Sequence, residues 1–135
     1  MKEIKEEIYD TLATDVTLQT LLDTTILAPK VYHAKKPSDV TEKSIVYQEI
    51  IGFGSLRAKN QGQEAYQVII ESTDPDTNDE IYERVIVLLD DLSFSRGNAL
   101  GHRLRRDETM PDLLLEDKVT WQIIVRYVLT LERGT

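Results

Sequence analysis

Cysteine is absent, so the chain can build neither a disulfide framework nor a thiolate metal centre. Histidine is scarce: only His33 and His102 could supply an imidazole, and neither lies in an HExxH pattern or beside a G-x-S-x-G nucleophile turn. Long hydrophobic runs are missing. The longest, VIVLL at residues 85–89, is far short of the ~20 residues a membrane-spanning helix needs, so no membrane partner is expected. The opening MKEIKEEIY carries Glu3, Glu6 and Glu7 where a secretory signal would be apolar, so no export is expected either. Positive charge is in the minority. With 16 Lys and Arg against 24 Asp and Glu, the net charge of −8 repels polyphosphate and disfavours nonspecific nucleic-acid binding as the main task.

What is present suits one folded domain over residues 1–135, with no internal repeat or low-complexity tract. Ile4, Ile8 and Leu12, with Tyr9 beside them, draw one apolar stripe on a short helix. Thr14 and Asp15 then read as a break and a fresh N-cap, after which Leu18, Leu21 and Leu22 face the core. Residues 31–33 form a brief strand before Pro37, and residues 44–51 a second, ended by Gly52 and Gly54. In the next strand Tyr66, Val68 and Ile70 share one face while Gln67 and Glu71 take the other.

Asp74 followed by Pro75 marks a helix start, with Thr77 and Glu80 as a rival capping box. Ile81, Val85, Leu88, Leu89 and Leu92 then trace the clearest amphipathic helix in the chain. Its floor is the final strand, whose odd positions Val119, Trp121, Ile123, Val125, Tyr127, Leu129 and Leu131 lie on one face. A strand at residues 100–107 precedes it, joined through the loop TMPDLLLED as an antiparallel pair. Helix, strands, helix, strands, without β-α alternation, predicts an α+β fold: a two-layer domain with helices packed on one face of a mainly antiparallel β-sheet.

Three patterns imitate chemical sites and fall short of them. Asp74, Asp76 and Asn78 imitate the start of an EF-hand loop, but Asp79 stands where the tight turn needs glycine and Val85 where a bidentate glutamate should close the shell. GFGSLRAKNQG has Arg57 where a dinucleotide loop needs its third glycine, and lacks the Gly-Lys-Ser/Thr of a P-loop. It reads as a strand-to-strand connection with a basic tip, Arg57 and Lys59. Asp90 and Asp91 are adjacent on a helix and point apart, which suits solvation. No enzyme activity, cofactor or metal is expected.

The remaining cluster is basic: Arg96, Arg103, Arg105 and Arg106, with Arg103 and Arg105 expected on the same side of a strand. Guanidinium groups so placed can grip phosphate or carboxylates. In so acidic a chain, carboxylates of a neighbouring copy are favoured over DNA. Together with Arg57 and Lys59 these four arginines form the candidate oligomer or partner interface.

The order IYDTLATDVTLQTLL, KVYHAKKP, SIVYQEI, YQVIIEST, DTNDEIYERVIVLLDDL and WQIIVRYVLTL resembles the tail completion, or tail terminator, family of long-tailed bacteriophages. Val31, Tyr32 and Pro37 match the short strand that bridges that family's opening helices to its main sheet. The resemblance implies a structural virion protein of the tail or neck, assembled in the host cytoplasm. It would form a ring, typically a hexamer, that ends tail-tube polymerisation and joins the head. Its partners would then be itself, the tail tube protein and a head-side connector, with DNA only passing through the channel. A closed ring needs two different patches on each subunit. The arginine strand on one copy and acids at residues 3–10, or Asp90 and Asp91, on the next are the expected pair. The alternatives are another neck component, such as a head-tail adaptor or stopper, or a small protein-binding adaptor without catalysis.

Overall fold

A computed structural model describes residues 2–36, 43–50, 56–58, 61–97 and 99–133. Helices α1 (Lys2–Ala13) and α2 (Val16–Leu21) open the chain. Asp15 separates them as the expected N-cap, its carboxylate accepting from the Leu18 amide at 2.8 Å. Strands β1 (Val31–His33), β2 (Ser44–Glu49), β3 (Leu56–Ala58) and β4 (Gln61–Ser72) follow. Helix α3 (Pro75–Leu89) leads to β5 (Phe94–Arg96), β6 (Ala99–Leu114) and β7 (Trp121–Arg133). The sheet has seven strands in the order β1-β2-β4-β7-β6-β5, with β3 added to β4. Among the described residues only β1 and β2 pair in parallel, so the fold is the mainly antiparallel α+β domain the sequence predicts.

Helix α3 starts where Asp74 accepts from the Asp76 amide and the Thr77 hydroxyl, so the aspartate cap prevails over the Thr77–Glu80 box. Ile81, Val85 and Leu89 point down, fully buried, onto Tyr66, Val68 and Ile70 of β4 and Ile123, Val125, Tyr127 and Leu129 of β7. Ile4, Ile8, Leu12, Leu18 and Leu22 complete the same core. Asn78, buried within this layer, donates to the Trp121 carbonyl at 2.9 Å and ties the start of α3 to the start of β7.

Several boundaries differ from expectation. Val119 is not part of the floor: it sits in the turn before β7, 57% exposed. Residues 109–114, expected as loop, continue β6, and the turn falls at residues 115–120. Pro111 is tolerated because this stretch of β6 has β7 on one side and no strand on the other among the described residues, so no ladder bond is lost. The glycine-rich connection contains the short strand β3. Helix α3 stops at Leu89, and Leu92 packs on the core from beyond it.

Strand β5 had no expectation attached, and it is fitted to a glycine. Phe94 pairs directly with Gly101, and its ring occupies the place a Cβ on residue 101 would take. Gly101→Ala should therefore cost about 1–3 kcal/mol by overpacking. A urea midpoint equal to that of the unmodified chain would show the ring can move aside freely.

Candidate functional site

The expected interface residues are not one patch. Arg96, on β5, lies against α1, where its Nη1 meets Glu6 at 3.1 Å and its Nη2 meets Asp10 at 2.7 Å, with Glu7 at 3.9 Å. Residues spaced three and four apart on a helix share a face, which is why these acids converge on one guanidinium. The hydrogen bonds Arg96 donates to Asp10 and then to Glu6 hold its pKa above its ordinary value. Beside this node, Lys5, Glu6, Tyr9, Asp10, His33, Tyr47 and Arg96 line an open hollow of about 380 Å³. His33 and Tyr47 stand ring to ring at 5.3 Å, and burial first, then Tyr9 and Asp10, push the Tyr47 hydroxyl up to about 12. Within VYHAKKP, residues 31–33 are thus structural, Val31 packing into the core and His33 against Tyr47, while Pro37 lies outside the described residues.

A second node forms where α3 ends. Tyr127 donates to Asp90 Oδ1 at 2.8 Å, and Arg106 reaches Asp90 Oδ2 at 3.4 Å and the Tyr82 hydroxyl at 2.5 Å. Burial, then the bond to Asp90, raise the Tyr127 pKa. Arg103 pairs with Asp91 at 2.6 Å. Asp91 and Arg103 both have positive φ, +64° and +54°, and Leu104 exchanges backbone hydrogen bonds with Asp91 and Leu92.

The expectation that Arg103 and Arg105 share a side fails here. The β6–β7 register shifts between His102 and Arg105, one of three such shifts along the pair. Each extra residue resets the alternation. Arg103 turns to Asp91 and Leu104 into the core, while Arg105 lies opposite Val128 and, among the described residues, makes no ion pair. The side chains of Arg57 and His102, and the whole of Lys59, fall outside the described residues.

Of the acids foreseen as partners in a neighbouring copy, residues 3–10 and Asp90 with Asp91, five meet arginines within the chain: Glu6, Glu7, Asp10, Asp90 and Asp91. Sequence alone cannot separate the two cases, because the same charges satisfy both. A further clamp was missed: Arg84 on α3 reaches Asp15 through two bonds, Nε to Oδ2 at 2.9 Å and Nη2 to Oδ1 at 2.7 Å. Arg84, above all, holds the Asp15 carboxyl below the usual carboxylate range, against burial, which raises it, with the Leu18 amide helping.

A folded-state pKa below the unfolded one adds stability above the unfolded value and loses it as pH falls through the folded value. Asp15→Asn keeps a competent cap but loses the charge, so it should cost about 1 kcal/mol near neutral pH. That deficit should shrink as pH falls below the ordinary aspartate range and through the lowered folded-state value. Urea midpoints of both proteins across pH test this, and a deficit independent of pH would exclude the ionic clamp.

Among the described residues no cluster of histidine and acidic groups could hold a metal ion, and no helix is long and apolar enough to cross a membrane. The nodes fasten helices to strands and present no aligned nucleophile and base.

No protein-family model matches the chain, and no curated protein matches it in sequence. Solved structures do. A chain from the virion of a native gene transfer agent particle superposes with a TM-score of 0.76 at 15% identity, covering 93% of this chain and 91% of that one. A second solved protein gives 0.56 at 11% identity, covering 100% and 96%. At such identities the likeness establishes the shared fold.

Proposed function

We propose that this chain is a non-catalytic structural subunit of a phage-like particle, one that closes the end of the tail tube as a ring and joins it to the head. One observation carries the reading: the fold likeness to a virion chain spans nearly the full length of both proteins. The tail-terminator resemblance of the sequence supports the finer placement, with the tube protein and a head-side connector as partners and six copies as the expected ring. The net charge of −8 suits a collar that DNA crosses without sticking.

The test is negative-stain imaging of the purified protein, alone and mixed with tail tubes. Rings seated on one end of tubes that then stop growing are expected. Tubes that elongate unchanged would overturn the capping role, and binding to heads but not to tubes would identify a head-side neck component instead.

A further inference from the structure

We propose that the hollow between α1 and the β1–β2 edge of the sheet is a recognition site for the guanidinium group of an arginine side chain presented by a neighbouring protein subunit. This takes from the ring reading only that the chain has protein neighbours; the ligand chemistry follows from the hollow itself.

Strands β1 and β5 stand at opposite edges of the sheet, yet α1 touches both, and His33 from one edge and Arg96 from the other line the same hollow. The sheet therefore curls around α1, and the hollow is a product of the whole fold rather than of one loop. At about 380 Å³ it falls near the small end of ligand sites, roughly 300–1,000 Å³, with room for one long side chain.

Its walls are aromatic. The Tyr47 ring has Tyr9 at 6.5 Å and His33 at 5.3 Å, tilted by 45° and 44°. Tyr9 and His33 are exposed, so the wall is reachable from outside. Among the described residues none of the three side chains makes a hydrogen bond. For Tyr47 this breaks the rule for buried hydroxyls, since the residue is only 4% exposed. After burial itself, Tyr9 and Asp10 are what raise its pKa, and both share the lining, so the hydroxyl faces the hollow and stays neutral. A polar group left in that state marks a place for a ligand.

Charge selects the ligand. Two cations enter the lining, and both are already met: Arg96 by Glu6, Glu7 and Asp10, and Lys5 by Glu49 at 3.1 Å. Four carboxylates against two cations leave the surroundings negative. An anion would have to displace those carboxylates, whereas a cation displaces nothing. Asp10 meets Arg96 through Oδ2, which leaves Oδ1 to accept from a guest. Aromatic faces attract cations, and a guanidinium can lie flat on a ring while its edge N–H groups donate in plane, to the Tyr47 hydroxyl and to Asp10. An ammonium has no such plane, so arginine is favoured over lysine.

The test follows backbone amide shifts of the full chain by NMR, with N-acetyl-arginine amide as probe. Saturable shifts around Tyr9, His33 and Tyr47, with a Kd on the order of 1 mM, are expected for a lone side chain. N-acetyl-citrulline amide, alike in shape but uncharged, should bind about tenfold or more weaker, as should the arginine probe to Tyr9→Ala. Tyr47→Phe keeps the ring in the core and should weaken binding about threefold. No saturable shift, equal binding of the citrulline probe, or tighter binding of N-acetyl-glutamate amide overturns the site. Tyr9→Ala then separates the sources of the arginine. Weaker self-association of the pure chain in sedimentation assigns it to a second copy, and unchanged self-association with weaker attachment to tubes or heads assigns it to another neck protein. Every assembly step unchanged overturns a neighbouring subunit as its donor and leaves the ring reading standing. An unmodified chain that takes the probe yet caps no tubes overturns the ring reading alone.

Discussion

Val125→Asp should yield no cooperatively folded protein, while Ile124→Asp, one residue earlier, should fold. Val125 is fully buried, opposite Val68 on β4, in the layer roofed by α3. A carboxylate there has no charge partner and must either ionise without solvent or stay protonated well above its usual range, a cost of several kcal/mol. The lost valine packing adds about 1–3 kcal/mol. Together these approach the whole stability of a domain this size, about 5–15 kcal/mol. Ile124 faces the other way, in a row with Ile69 and Met110 that is only half buried. Aspartate at 124 keeps its water and should cost about 1–2 kcal/mol. Thermal melts by circular dichroism decide: if both variants fold, or if only Val125→Asp does, the helix layer does not lie where β7 and α3 place it.

That contrast was readable before any coordinates, because period-2 and period-3.6 patterns survive wherever an element is regular and one face is buried. Tyr66, Val68 and Ile70 on β4 and Ile81, Val85 and Leu89 on α3 are such cases, and the caps at Asp15 and Asp74 are local chemistry that needs no tertiary information. The pattern failed where regularity did. β6 carries three register shifts, so alternation counted from Leu100 no longer describes residue 105, and Pro111 read as a loop because a strand edge is invisible in one dimension. The turn at residues 115–120 was displaced for the same reason, since its signal is the Asp117 side chain folding back on Val119 and Thr120.

The arginines show a different limit. Composition and segregation along the chain point to pairing between the arginine strand and acids of a neighbouring copy; within the chain it is Arg96 that meets the acids of α1, and charge alone carries no information about which arginine or which copy supplies the partner. Only the packing of β5 against α1 makes the contact internal. What the sequence left unmarked is the pairing of Arg84 on α3 with Asp15, which only the packing of α3 against the α1–α2 joint brings together.

Reversing the charge at Arg96 should release α1. The guanidinium reaches Glu6, Glu7 and Asp10 together, so Arg96→Glu sets a fourth carboxylate beside three that a cation had met. Exposed pairs of this kind contribute little when merely deleted, and Arg96→Ala should accordingly be mild. Reversal differs because it replaces attraction by repulsion at three distances at once, on a helix of 12 residues that is marginal without its tertiary contacts. The expected result is a fall in Tm together with amide exchange in α1 faster by about tenfold or more, while α3 stays protected. Raising salt should recover part of the Tm, since screening weakens repulsion between exposed charges beyond a Debye length of about 8 Å at physiological strength and shortens that range further. Arg103→Glu is the matched control. Its partner Asp91 is a single exposed acid in a pair with both side chains about two thirds exposed, so exchange in α1 should not change. If Arg96→Glu leaves α1 as protected as before, the apolar stripe of Ile4, Ile8 and Leu12 alone holds that helix, and the acids of its outer face become available to another chain.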